Sequence, residues 1–319
     1  MEIRNTIWNS ARLEIRNPIW NSAVIGIYEE HMTERKALEN CTLCPRACKV
    51  DRLSGERGVC GTTGETVLLS RAALHFWEEP AISGTKGSGA VFFSGCNLRC
   101  AYCQNRDIAN CTIGKEVSVA RLSEIFLELQ EKGAENINLV TPTHYASQIR
   151  EAVLLAREKG LAIPTVYNTG GYESAEILSE MEDVIDIYLT DFKYMDETLS
   201  KGLSKAADYP EVAKRALAEM VRQKPECSFD EAGMMKRGVI VRNLLLPGHV
   251  NNSKKVVEYV YNTYGDAVYL SLMNQYTPLR EIDGYPELNR KVTEREYKRL
   301  LDFALALGVT NAYIQEGKT

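Results

Sequence analysis

No apolar run in the 319-residue chain approaches the length of a membrane span, since a crossing helix needs about 20 consecutive apolar residues. The first residues, Met1-Glu2-Ile3-Arg4-Asn5, lack the apolar core of a secretion signal. A cytoplasmic location with no membrane partner is therefore expected. Basic excess is missing as well: 38 Lys and Arg stand against 43 Asp and Glu, a net charge of −5 with His neutral. A nucleic-acid footprint calls for a basic patch or stripe, so no nucleic-acid partner is expected. Extended repetition is absent too. Residues 2–10 return once as residues 14–22, with Thr6 exchanged for Pro18. Two copies are too few for a solenoid. They read instead as an N-terminal extension over residues 1–34, with Trp8 and Trp20 in matching places.

Cysteine, by contrast, is plentiful. The chain has nine, an odd number, and seven of them fall in close groups. Without a secretion signal, that pattern reads as metal binding rather than disulfides. Residues 95–105 read GCNLRCAYCQN, which places Cys96, Cys100 and Cys103 in C-x3-C-x2-C spacing. They follow directly on the apolar run 90–93, a candidate buried strand. Iron–sulfur clusters are held by Cys thiolates, and a cubane has four irons. Three thiolates leave one iron open, and an open coordination position marks a metal centre that does chemistry. A zinc knuckle and a disulfide are the alternatives. Zinc needs a fourth close ligand, for which Cys111 is the one local candidate.

This loop resembles the cluster loop of the radical S-adenosylmethionine (SAM) superfamily, in a version similar to pyruvate formate-lyase activating enzymes. The resemblance extends from about residue 35 to about residue 314. Residues 242–248 and 273–278 place it nearer an uncharacterised activase-like branch. It implies a [4Fe–4S] cluster on Cys96, Cys100 and Cys103 whose open iron is chelated by SAM. It also implies reductive cleavage of SAM to a 5′-deoxyadenosyl radical, with the cofactor doing the hard chemistry. An electron donor such as flavodoxin or ferredoxin is implied as well. Activating enzymes abstract hydrogen from a partner protein, so the expected function is radical hydrogen abstraction from a protein or peptide. The same chemistry on a small molecule, or on another protein residue, is the first alternative. A non-catalytic iron–sulfur or zinc protein is the second.

Ahead of the loop lies a Cys-rich module, placed at residues 35–89. Cys41, Cys44, Cys48 and Cys60 are spaced to hold zinc or a second, fully ligated cluster, or stand as four plain thiols. Gly55, Gly58, Gly61 and Gly64 suit tight turns in a unit with little core of its own. His75 reads as a packed or surface histidine.

From residue 90 to the end, apolar segments near 90–93, 136–141, 162–167, 184–190, 239–246 and 267–272 alternate with amphipathic helical patterns. That is the signature of βα units and a parallel sheet. Six units are too few for a closed eight-fold barrel. With the resemblance, the expected fold is a three-quarter parallel (βα)6 barrel of radical SAM type, residues 90–319. Parallel barrels carry their chemistry at the C-terminal strand ends. There the sequence places Thr141, Asn168, Thr169, Asp191, Lys193, Arg242 and Gln275, with Tyr102 inside the Cys loop. Arg242 or Lys193 suits the SAM carboxylate through a charge-assisted hydrogen bond, and Asp191 and Asn168 suit its ribose or amine. The resemblance places Tyr102 near the adenine. Thr141 stands where many relatives carry a Gly-Gly-Glu turn, and Gln275 near an activase histidine. A lateral gap between the first and last strands would admit a peptide, because the tail after residue 314 is short and polar.

Overall fold

The computed structural model describes residues 37–64 and 66–315. The near-repeat at residues 1–34, with Trp8 and Trp20, lies outside the described residues, as do residues 316–319. The described chain forms one sheet of β1 (Val67–His75), β2 (Ser88–Phe93), β3 (Lys115–Val117), β4 (Ile137–Val140), β5 (Thr165–Thr169), β6 (Ile187–Asp191), β7 (Ser228–Phe229), β8 (Met235–Leu244), β9 (Tyr269–Met273) and β10 (Ala312–Ile314). The strand order is β10-β9-β8-β6-β5-β4-β2-β1-β3, with β7 paired to β8. From β2 to β10 the neighbours run parallel. The sheet does not close on itself. It is an α/β partial barrel.

Burial on both faces is what gives the inner strands their continuous apolar character; Ile187, Tyr188 and Leu189 of β6 are all fully buried. The outer layer follows the helical period. In helix Val119–Glu131 the Ser118 hydroxyl caps the start by accepting from the Arg121 amide at 3.2 Å. Its residues Leu122, Ile125, Phe126 and Leu129 turn inward against helix Ala146–Glu158 and the sheet. Burying Phe126 alone contributes about 1.5–3 kcal/mol. Helix Glu294–Leu307 opens with the expected capping box between Thr293 and Glu296. Glu296 also accepts from the Gly248 amide at 2.7 Å, tying this helix to the loop after β8. Among the described residues no helix is long and apolar enough to cross a membrane.

Three details differ from the sequence reading. The boundary expected between residues 89 and 90 falls inside the sheet, because β1 pairs antiparallel with β2. Ser70 and Arg71 interrupt the apolar pattern of β1 at a register shift, which hides it as a strand. A seventh parallel strand, β10, follows the six expected ones; it has three residues, and Ile314 is half exposed. The strand expected at 162–167 begins only at Thr165, since Pro164 has no amide to give the ladder.

Candidate active site

The C-terminal ends of β2, β4, β5, β6, β8 and β9 converge on one cavity of about 780 Å3. Its walls include Cys96, Cys100 and Cys103 together with Tyr102, Thr141, Asn168, Thr169, Asp191, Lys193, Arg242 and Gln275. The loop that presents the three thiols is fastened on several sides. Cys96 donates its amide to the Cys60 carbonyl at 3.2 Å, and Ala101 donates to Leu203 at 2.7 Å. Asn97 reaches the Tyr172 carbonyl through its side-chain amide at 2.8 Å. Gly95 turns the chain out of β2 with φ +98°, and a Cβ there would stand 2.6 Å from Thr62 and 2.9 Å from His144. Only glycine fits that turn.

The donor set fits a cationic iron–sulfur group. Burial pushes the Cys96 thiol up to about 12, with further repulsion from Cys100. Burial also raises Cys103, again with Cys100 adding to it. Thiolates that destabilise one another in a buried site are relieved by a bound cation. The Leu98 amide points at the Cys96 sulfur at 3.4 Å, and Ser204 donates to the Cys100 sulfur at 3.0 Å. Cys111 does not line the cavity; its Sγ lies 3.8 Å from the Cys60 carbonyl instead. Among the described residues, no three His, Cys, Asp or Glu side chains stand drawn together as a finished metal cage.

Facing the thiols is a charged network. Arg242 donates to Asp191 at 2.8 Å, to Glu78 at 3.0 Å and to Asn168 at 2.7 Å. Burial would lower its pKa, but Asp191, Glu79 and Glu78 together raise it. Burial would raise the Asp191 carboxyl, yet Arg242 and Lys193 hold it below its usual range. Lys193 donates to Asp191 at 2.5 Å. An ammonium has three donors, so Lys193 retains capacity for a ligand carboxylate where Arg242 is already engaged. Asn168 spends its amide on Glu78 at 3.2 Å. Glu78, which completes this network, was not singled out in the sequence. Its signal was the Glu78-Glu79 pair placed shortly before the Cys loop.

The other expected residues are placed as follows. Tyr102 accepts from the Tyr194 hydroxyl at 2.8 Å and stands edge-on to Tyr276. Thr141 holds a left-handed φ of 60° at the end of β4. For a β-branched residue that is strain of about 1–3 kcal/mol, of a kind that clusters at functional sites. The Gln275 side chain accepts from Gln315 at 2.8 Å. His75 lines the cavity and packs edge-on against Phe92. The expected lateral gap is bridged at the mouth. Arg280, on the segment after β9, donates to the Ala101 carbonyl at 2.6 Å. A second cavity of about 260 Å3 lies there and shares Tyr102, Cys103 and Tyr276 with the first.

Thr169 turns its hydroxyl to Glu173, as do Thr143 at 2.6 Å and Tyr167 at 3.2 Å. Burial outweighs these three donors and carries the Glu173 carboxyl from 4.5 to about 7. The folded chain therefore binds more protons than the unfolded chain between those values. Stability then falls as pH rises through that window, by at most ~1.4 kcal/mol per pH unit. Urea unfolding at a series of pH values checks this against Glu173→Gln. The wild type is expected to lose ground to the variant from about pH 4.5 to about pH 7. A pH-independent difference would mean that Glu173 ionises normally.

Comparison with known proteins matches residues 90–236 to the model of the Radical SAM superfamily. The chain is 28% identical over 281 residues to an uncharacterized protein of Methanocaldococcus jannaschii, covering 85% of this chain and 75% of that one. It is 28% identical over 228 residues to the pyruvate formate-lyase-activating enzyme of Clostridium pasteurianum, covering 66% of this chain and 90% of that one. Among solved structures, Streptococcus suis SuiB bound to S-adenosylmethionine aligns with a TM-score of 0.48 at 15% identity. That alignment covers 69% of this chain and spans 48% of the SuiB chain.

Proposed function

Because residues 90–236 match the model of the Radical SAM superfamily, we propose that this chain is a radical SAM enzyme that acts on a protein or peptide, in the manner of an activase. The [4Fe–4S] cluster and SAM of the family supply a 5′-deoxyadenosyl radical when bound. In this reading Cys96, Cys100 and Cys103 ligate the cluster, and Lys193 takes the SAM carboxylate. Arg242 holds Asp191 and Glu78 in place around the cofactor. Tyr102, Thr141, Asn168, Thr169 and Gln275 line the remaining wall. A flavodoxin or ferredoxin type of donor would supply the electron.

The observation that carries the reading is the rim. Trp77 lines the cavity and is 85% exposed. Phe76 and Leu279 are exposed nearby in the chain and at the second cavity. Large exposed apolar side chains at a cavity mouth mark a surface for another macromolecule. A small-molecule enzyme would bury them as a lid to keep water from the radical. The Clostridium pasteurianum relative points the same way, since its name makes another enzyme its target.

The test uses anaerobically reconstituted, reduced enzyme with SAM and size-fractionated extract of the source cells. The protein fraction is expected to stimulate 5′-deoxyadenosine formation. Trp77→Ala should raise the KM for that fraction about tenfold, a loss of ~1.4 kcal/mol, with unstimulated SAM cleavage unchanged. Stimulation by the small-molecule fraction alone would overturn the proposal.

A further inference from the structure

We propose that Cys41, Cys44, Cys48 and Cys60 hold one Zn2+ in a closed four-thiolate site that fixes the loop bearing Cys96, Cys100 and Cys103. The first ground is that the module cannot sustain itself by burial. Its apolar cluster has three buried members, Leu38, Cys41 and Leu43, with only Ala37, Cys48, Val50, Leu53 and Ile177 packed on them. Two of the thiols are thus part of the little core there is. All nine cysteines are free thiols, so no disulfide staples the unit. Burial inside the module is thus slight, and a metal is one way for such a segment to gain cohesion.

The second ground is the setting of the sulfurs. The Leu43 amide faces the Cys41 sulfur, and the Arg46 amide the Cys44 sulfur. In both, the donor lies two residues after the cysteine. The active-site loop repeats the arrangement at Cys96 with Leu98 and at Cys103 with Asn105. Cys48 and Cys60 meet across Gly58, where an added Cβ would stand 3.4 Å from one sulfur and 3.3 Å from the other. The backbone folds Cys41, Cys44 and Cys48 into one turn: the Cys41 amide donates to the Val50 carbonyl and the Lys49 amide to the Cys41 carbonyl, each at 3.0 Å, and the Ala47 amide to the Cys44 carbonyl at 2.9 Å.

Cys41, Cys44 and Cys60 are buried and Cys48 is half-buried. A buried set of four thiolates with no open position is the usual structural zinc site. The finished cage is absent among the described residues, as it is at the active-site loop; ligands are drawn in as the ion displaces their protons. Zinc stays divalent throughout, and the thiol protons pass to solvent.

The third ground is connection. Cys60 accepts the Cys96 amide through its carbonyl. Arg46, between Cys44 and Cys48, donates to the Asn97 and Ser204 carbonyls, each at 2.8 Å, and to Lys205. Ser204 in turn holds the Cys100 sulfur. An ion that sets the 41–60 loop therefore sets the backbone beneath the active-site thiols.

The test begins with the full chain carrying Cys96→Ala, Cys100→Ala and Cys103→Ala, prepared anaerobically and analysed for metals. One zinc per chain is expected, lost on adding Cys44→Ser. Because that variant could unfold, the wild type is titrated with a mercurial thiol reagent in the presence of a zinc indicator dye. Zinc should be released as four thiols react. Cobalt exchanged into the site should show thiolate charge-transfer bands with tetrahedral d–d bands. Arg46→Ala separates the two halves of the proposal: zinc should stay stoichiometric while iron retention in the active-site loop drops about tenfold or more. No zinc, zinc that survives Cys44→Ser, or iron in its place would overturn the site. Unchanged iron retention in Arg46→Ala would overturn the link between the two loops. The zinc count is independent of the proposed function; only the link rests on it.

Discussion

Replacing Cys96, Cys100 or Cys103 with Ala is expected to reduce SAM cleavage to background. Two thiolates cannot hold three corners of a cubane. Of the other groups near the site, Cys111 lies against the Cys60 carbonyl, His75 packs edge-on against Phe92, and Asp191 and Glu78 are engaged by Arg242. The three positions should also differ in their milder variants. Ser204 donates to the Cys100 sulfur, and outer hydrogen-bond partners of metal ligands are worth roughly 10–100-fold in metal affinity. Ser204→Ala should therefore weaken iron retention within that range while leaving the fold intact. Iron content, the cluster's absorption band and 5′-deoxyadenosine yield are the readouts. A single Cys→Ala variant with full iron and full cleavage would remove that cysteine from the ligand set.

Arg242→Met is expected to destabilise the chain by about 3–5 kcal/mol, the range for removing one partner of a buried ion pair. Arg242 is the common donor to Asp191, Glu78 and Asn168, and the two carboxylates are nearly as buried as it is. Without it, Glu78 and Asp191 share a low-dielectric pocket with Lys193 as the nearby counter-charge. Arg242→Lys should recover little, because one ammonium cannot span three acceptors set by a planar fork. The sign with pH follows from the carboxylates. Arg242 helps to hold the Asp191 carboxyl low against its burial, so that carboxyl rises when Arg242 is lost; the penalty is largest at neutral pH and shrinks toward acid. Urea unfolding at neutral and mildly acid pH measures both. A loss under about 1 kcal/mol, typical of an exposed residue, would mean that the network is not holding the site.

The strand ends were legible because parallel strands write themselves as apolar runs that stop at polar residues. Thr141, Asn168 and Asp191 follow or close such runs, Arg242 interrupts one as its polar residue, and all four line the cavity. The Cys loop was legible from its spacing alone. Glu78 was not, because its role depends on β1 folding back beside β2, an antiparallel pairing with a register shift. β10 was missed because three half-covered residues carry too little pattern. The bridge from Arg280 to Ala101 joins positions far apart in the chain through a backbone carbonyl. No local period encodes such a contact. For the same reason Glu173 gave no signal, since its three hydroxyl partners come from two strand ends and a strand.

The central claim is that three thiolates leave one iron open for SAM. Electron–nuclear double resonance on the reduced, reconstituted wild type tests it, using SAM labelled at its amino nitrogen and carboxylate oxygens. The account predicts hyperfine coupling from both labels to the cluster. A reduced cluster whose spectrum is unmoved by SAM and shows no coupling from either label would contradict it.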